Sequence, residues 1–74
     1  MNAKISYKKL WIMLVEREIT KQAFREFCEI APNTMTKLNK GEKVSIDVII
    51  RICEKYGCNI GDICDVVQLE SEQK

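Results

Sequence analysis

The chain has 74 residues, a net charge of +1, and 46% hydrophobic against 31% charged residues. A chain this short holds one small domain and buries only about 60% of the surface its unfolded form exposes, which excludes large cofactor clefts and two-domain catalysis. There is no His, so Ser-His-Asp triads and Cys-His nucleophiles are excluded too.

The first predicted helix covers about 6–17. Tyr7, Leu10, Trp11 and Leu14 recur at i, i+3, i+4 and i+7 on one face. Ser6 suits the N-cap, because its hydroxyl can accept a first-turn N–H. Trp11 reads as a core residue of this amphipathic helix. Thr20 caps a second, short helix at about 21–28, with Ala23, Phe24 and Phe27 at i, i+1 and i+4. A three-residue connection, Glu29-Ile30-Ala31, leads to Pro32, whose locked φ and missing N–H suit the first helical position. The third helix, 32–40, buries Met35 and Leu38 and is otherwise polar, and Gly41 ends it in the left-handed conformation. Ser45 caps a fourth helix carrying Ile46, Ile49, Ile50, Cys53 and Tyr56, which Gly57 stops. Asn59 caps a fifth, with Ile60, Ile63, Cys64, Val66 and Val67. The tail from Gln68 to Lys74 is polar apart from Leu69 and is expected to fray. The expected architecture is all-α: five short helices in a single domain spanning 1–74, with an ordered core at about 5–67.

The cysteines Cys28, Cys53, Cys58 and Cys64 form no C-x-x-C pair, so neither a zinc ribbon nor a thioredoxin-type motif is supported. No secretory signal precedes them, and each lies among apolar residues. They are expected to be reduced thiols of a cytoplasmic protein, acting as small hydrophobes. No apolar run approaches membrane-spanning length. No metal, cofactor or small-molecule ligand is implied, and the chain is not expected to be an enzyme.

The helices at 21–28 and 32–40 and their tight turn have the layout of a helix-turn-helix, whose second helix enters the DNA major groove. Met35 and Leu38 supply the narrow apolar anchor such a helix needs. Its outer face offers Asn33, Thr34, Thr36 and Lys37. Asn can pair with adenine, Lys can donate to guanine, and Thr can bond or touch a thymine methyl. No acidic residue occurs from 32 to 40.

The stretch from Thr20 to Gly41, together with Tyr56-Gly-Cys-Asn-Ile-Gly-Asp-Ile63, resembles the lambda-repressor/Cro-like helix-turn-helix family, also called the XRE family. The resemblance covers about residues 5–67. It implies a DNA-binding transcriptional regulator, with repression the expected sense, of bacterial, phage or plasmid type. By position it implies phosphate contacts from Lys21, Gln22, Lys40 and Lys43. Base contacts fall to Asn33 and Lys37, with Pro32, Thr34 and Thr36 beside them. Phe24, Ile30, Met35 and Leu38 match the family's core.

There are departures from the family pattern. Glu29 replaces the usual turn Gly, at a cost on the order of 1 kcal/mol if it is left-handed. Arg25 replaces a small residue at the helix crossing, and Pro32 replaces a polar contact residue. The family's frequent Arg–Glu tie between helices one and three maps onto Leu14 and Asn39, so that link should be apolar or absent. The partner expected is a palindromic duplex read by a homodimer. Ile60, Ile63, Val66 and Val67 divide between core packing and a possible dimer seam. An interaction module on the same fold, such as an antitoxin or adaptor, is the alternative.

The +1 charge is a cancellation. Residues 1–43 carry nine Lys/Arg and five Asp/Glu, and residues 44–74 carry three and six. The basic half is the one that holds the helix-turn-helix, which predicts one positive face.

Overall fold

A computed structural model describes residues 3–68. The order is strand β1 (Ala3–Ser6), helices α1 (Lys8–Glu16), α2 (Lys21–Phe27), α3 (Pro32–Lys40) and α4 (Ile46–Tyr56), a 3-10 turn (Ile60–Asp62) and strand β2 (Asp65–Gln68). Among these residues the fold is therefore mostly helical, with four helices and a small sheet.

The start and stop signals act as local chemistry dictates. Thr20 Oγ1 accepts the Ala23 N–H at 3.0 Å, and Ser45 Oγ accepts that of Val48 at 3.4 Å. Pro32 opens α3 at its first turn, and Gly41 and Gly57 close α3 and α4 in the left-handed region. Helix α1 starts two residues later than predicted. Tyr7 is its N-cap, while Ser6 still accepts the Lys8 N–H at 3.3 Å.

The all-α, five-helix expectation is corrected at both ends. Asn59 and Asp62 do form a capping box, with Asp62 Oδ2 accepting the Asn59 N–H at 3.0 Å. The helix it starts stops after one 3-10 turn. The chain then extends, and β2 pairs antiparallel with β1 in the register Ala3↔Gln68, Lys4↔Val67, Ile5↔Val66 and Ser6↔Asp65. Two consecutive β-branched valines favour this outcome, because they pack well on a pleated surface and lose side-chain freedom in a helix. The Ile63 carbonyl is used elsewhere: it accepts the Leu10 N–H at 3.2 Å, satisfying a first-turn donor of α1. Lys9 Nζ reinforces this closure, reaching the Gly61 carbonyl at 3.1 Å and Asp65 Oδ1 at 3.2 Å.

The core gathers Tyr7, Leu10 and Leu14 with Phe24, Cys28, Ile30, Met35, Leu38, Ile49, Ile52, Ile63 and Cys64. Phe24 is at its centre. Trp11 meets Phe24 edge-on at 6.2 Å, and Tyr56 stacks on it at the same distance. The Tyr7 hydroxyl donates to the Glu42 carbonyl at 2.7 Å, which ties the start of the chain to the loop after α3. All four cysteines are free thiols. Burial pushes the thiols of Cys28, Cys53 and Cys64 above their ordinary value, which favours the protonated form over the reactive thiolate.

Candidate nucleic-acid interface

The candidate interface is built on the α2–α3 corner, and its turn, like the one at Glu18, holds a non-Gly residue at positive φ. Helix α2 ends as Cys28 donates to the Phe24 carbonyl at 3.0 Å, Glu29 to Glu26 at 3.3 Å and Ile30 to Arg25 at 2.9 Å. Glu29 has φ +54°, the left-handed position that such a helix stop normally gives to Gly. The left-handed case weighed for this residue is the one the structure has. Support comes from α4, where the Arg51 guanidinium donates to the Glu29 carbonyl at 3.0 Å and the Cys28 carbonyl at 3.4 Å. A cation on the last carbonyls of a helix is favourable. Arg51 is thus a support of the turn that sequence reasoning missed. It lies 22 residues from Glu29, and no local pattern announces the contact. Arg25, at the helix crossing, is half-buried.

Helix α3 is anchored as expected. Met35 and Leu38 are buried, and Pro32, Asn33, Thr36, Lys37, Asn39 and Lys40 are exposed, with Thr34 half-buried. Several of these polar groups already have a local partner. Asn33 Oδ1 accepts the Thr34 N–H at 3.0 Å, which leaves its amide N–H groups as the outward donors. Thr36 Oγ1 donates to the Pro32 carbonyl at 3.1 Å, leaving an acceptor oxygen and a methyl. Among the described residues Lys37, Lys40 and Lys43 make no salt bridge, so no carboxylate of the chain competes with an incoming anion there.

At the start of α2 both expected phosphate-side residues are exposed. Gln22 Nε2 donates to Glu26 Oε2 at 3.3 Å. Lys21 Nζ donates to Asn39 Oδ1 at 2.9 Å and lies 4.3 Å from the centre of the Trp11 ring. The α1–α3 tie expected to be apolar or absent is replaced by this arrangement. Leu14 is buried in the core, and Asn39 reaches α1 only through Lys21 and Trp11.

The four residues weighed as a dimer seam do not share one face. Ile63 is 0% exposed and belongs to the core of its own chain, so it is removed from the seam. Val66 (70% exposed) and Val67 (40%) are consecutive on β2, and consecutive strand residues point to opposite faces. Val66 pairs with Ile5, and together with Ile60, Gly61 and Cys64 they line one apolar depression.

No group of three or more potential metal ligands clusters among the described residues, and no helix there is long and apolar enough to cross a membrane.

Comparison with known proteins agrees with this geometry. The family model for the Cro/C1-type HTH DNA-binding domain matches residues 9–68. Among solved structures, the crystal structure of the transcriptional regulator VanUg, Form II, superposes with a TM-score of 0.89 at 37% identity, covering 92% of this chain and 91% of that one. No curated protein matches the chain.

Proposed function

The chain belongs to the Cro/C1-type helix-turn-helix DNA-binding family, and from that premise we propose that it is a sequence-specific transcriptional repressor that inserts α3 into the major groove of duplex DNA. One observation carries the reading: α3 buries only Met35 and Leu38 and turns outward a face of Asn, Thr and Lys with no acidic residue. A helix that served packing alone would not need a carboxylate-free outer face. Beside phosphates, every acidic residue would cost affinity.

The roles divide by chemistry. Lys37 and Asn33, flanked by Pro32, Thr34 and Thr36, read base edges. Lys37 donates to guanine, and the outward amide donors of Asn33 meet a purine acceptor. Lys21, Gln22, Lys40 and Lys43 bind phosphates and fix the register without reading sequence. A 74-residue chain of net charge +1 makes few such contacts. A homodimer on a palindromic operator, with half-sites about one helical turn apart, doubles them. The apolar depression around Ile5, Ile60 and Val66 is the surface on which a second copy would seat. Repression follows from occupancy, because a protein bound across a promoter excludes polymerase. The domain is proposed as a single one, acting in the cytoplasm of a bacterial or phage-infected cell.

Selection of bound sites from random duplex DNA tests the whole reading. A consensus of two inverted half-sites supports it. A protein that binds no duplex even at low salt is not a repressor. That outcome favours the interaction module, toward which the exposed Glu29 carboxylate at the α2–α3 turn points.

A further inference from the structure

Lys21 is the first residue of α2, and its ammonium is held by residues of two other helices. The Trp11 ring of α1 lies 4.3 Å from Nζ, and Asn39 Oδ1 of α3 accepts from it at 2.9 Å. The ring is itself held in place, being edge-on at 6.2 Å and 85° to Phe24, which is fully buried. Asn39 is on the last turn of the same helix that carries Lys37 and Lys40. An exposed lysine ordinarily samples many conformations on its four-carbon stem. This one is fixed against the corner from which α3 projects.

The nature of the two partners matters more than their number. A carboxylate in either place would hold the ammonium equally well but would cancel its charge and compete with an incoming anion. A π face and an amide oxygen are both neutral. They fix the position and leave the charge whole, and two of the three ammonium N–H groups lie outside the Asn39 bond. We infer that Trp11 and Asn39 are positioning residues for DNA binding, a neutral cradle that presents the Lys21 ammonium to a backbone phosphate. This role rests on the DNA-binding reading above, and it gives the one Trp of the chain a task beyond packing.

Binding of the full chain to random-sequence duplex DNA, measured across a salt series, tests the cradle. Asn39→Ala, at an exposed position, is expected to weaken binding about three- to tenfold, the cost of immobilising one flexible side chain anew. Its salt slope stays that of wild type, because the charge remains. Lys21→Ala lowers that slope by about one. In the Lys21→Ala background, Asn39→Ala and Trp11→Leu have no further effect, since both act through the missing ammonium. Trp11→Phe, which keeps an aromatic face, binds more tightly than Trp11→Leu at matched thermal stability. If Trp11→Leu fails to fold, the Asn39→Ala and Lys21→Ala cycle decides alone. Losses that add in the Lys21→Ala background mean that Asn39 touches DNA itself, and they overturn the inference. So does an Asn39→Ala variant that binds like wild type. Wild type that binds no duplex at low salt overturns the DNA reading instead, a result distinct from binding with additive losses.

Discussion

Replacing Glu29 with Gly is expected to stabilise the protein, against the usual trend for substitutions at a helix-turn-helix corner. Glu29 holds φ +54°, where a side chain costs about 1–2 kcal/mol relative to the right-handed region. Gly removes that strain, and it also loosens the unfolded chain by about 0.5–1 kcal/mol. The net gain is about 0.5–1 kcal/mol, or a rise in Tm of about 2–8 °C for a domain this small. Nothing else need change. The side chain is exposed, and the bonds at this position come from the backbone N–H and carbonyl. Thermal unfolding followed by circular dichroism provides the measurement, with Glu29→Ala as the control. Ala removes the carboxylate but keeps a Cβ, so its Tm should stay close to that of wild type. If Gly is no more stable than Ala, the turn is not strained and the argument from φ fails. If both variants gain equally, the carboxylate and not the backbone is responsible.

Three further outcomes follow from the same structure. Arg51→Met keeps an apolar stem but removes the guanidinium from the Cys28 and Glu29 carbonyls; it should cost about 1–2 kcal/mol in urea denaturation, and an unchanged midpoint would deny Arg51 its supporting role. Lys37→Ala or Asn33→Ala should each cost roughly 1–3 kcal/mol on a selected site and relax one base position, whereas Lys40→Ala should weaken all sequences alike; equal losses on specific and random duplexes for all three would refute the division of roles. Burial raises the Cys28, Cys53 and Cys64 thiols and the Tyr7 phenol. The unfolded chain therefore releases these protons first, so stability is complete below the ordinary thiol value of 9.0 and declines as pH rises past it. A melting temperature that stays level well above that pH would contradict this.

The legible parts of the fold were those whose cause is local. Thr20, Pro32, Gly41, Ser45 and Gly57 each mark a helix end through their own side chain or φ, and each marks it in the structure. The turn at Glu29 was legible only through the family resemblance, which puts a Gly at that position. The sheet was not legible. Its strands are four residues each and lie at opposite ends of the described chain, and Ile60, Ile63, Cys64 and Val67 share spacings that suit a helix equally well. The two valines lean toward a strand, but Ala3–Ser6 as a pairing partner settles it, and no short window of sequence contains both. The candidate site divides in the same way. The exposed face of α3 follows from its period. The contacts of Lys21 with Trp11 and Asn39, and of Arg51 with Glu29, depend on how four helices pack and leave no trace in spacing.

The antiparallel pairing of β1 with β2 also bears on the order in which the protein can be made. A ribosome delivers Ala3–Ser6 long before Asp65–Gln68, so β1 emerges with no strand to pair with. The Leu10 N–H, which bonds the Ile63 carbonyl, waits almost as long. Helices α2, α3 and α4, with their own caps, can form while synthesis continues. The registration of the first helix against them is completed only when β2 clears the exit tunnel. Synthesis halted before that strand would leave α3 formed but α1 unfastened at its N-terminal end. In this protein the last residues described complete the structure that the first ones begin.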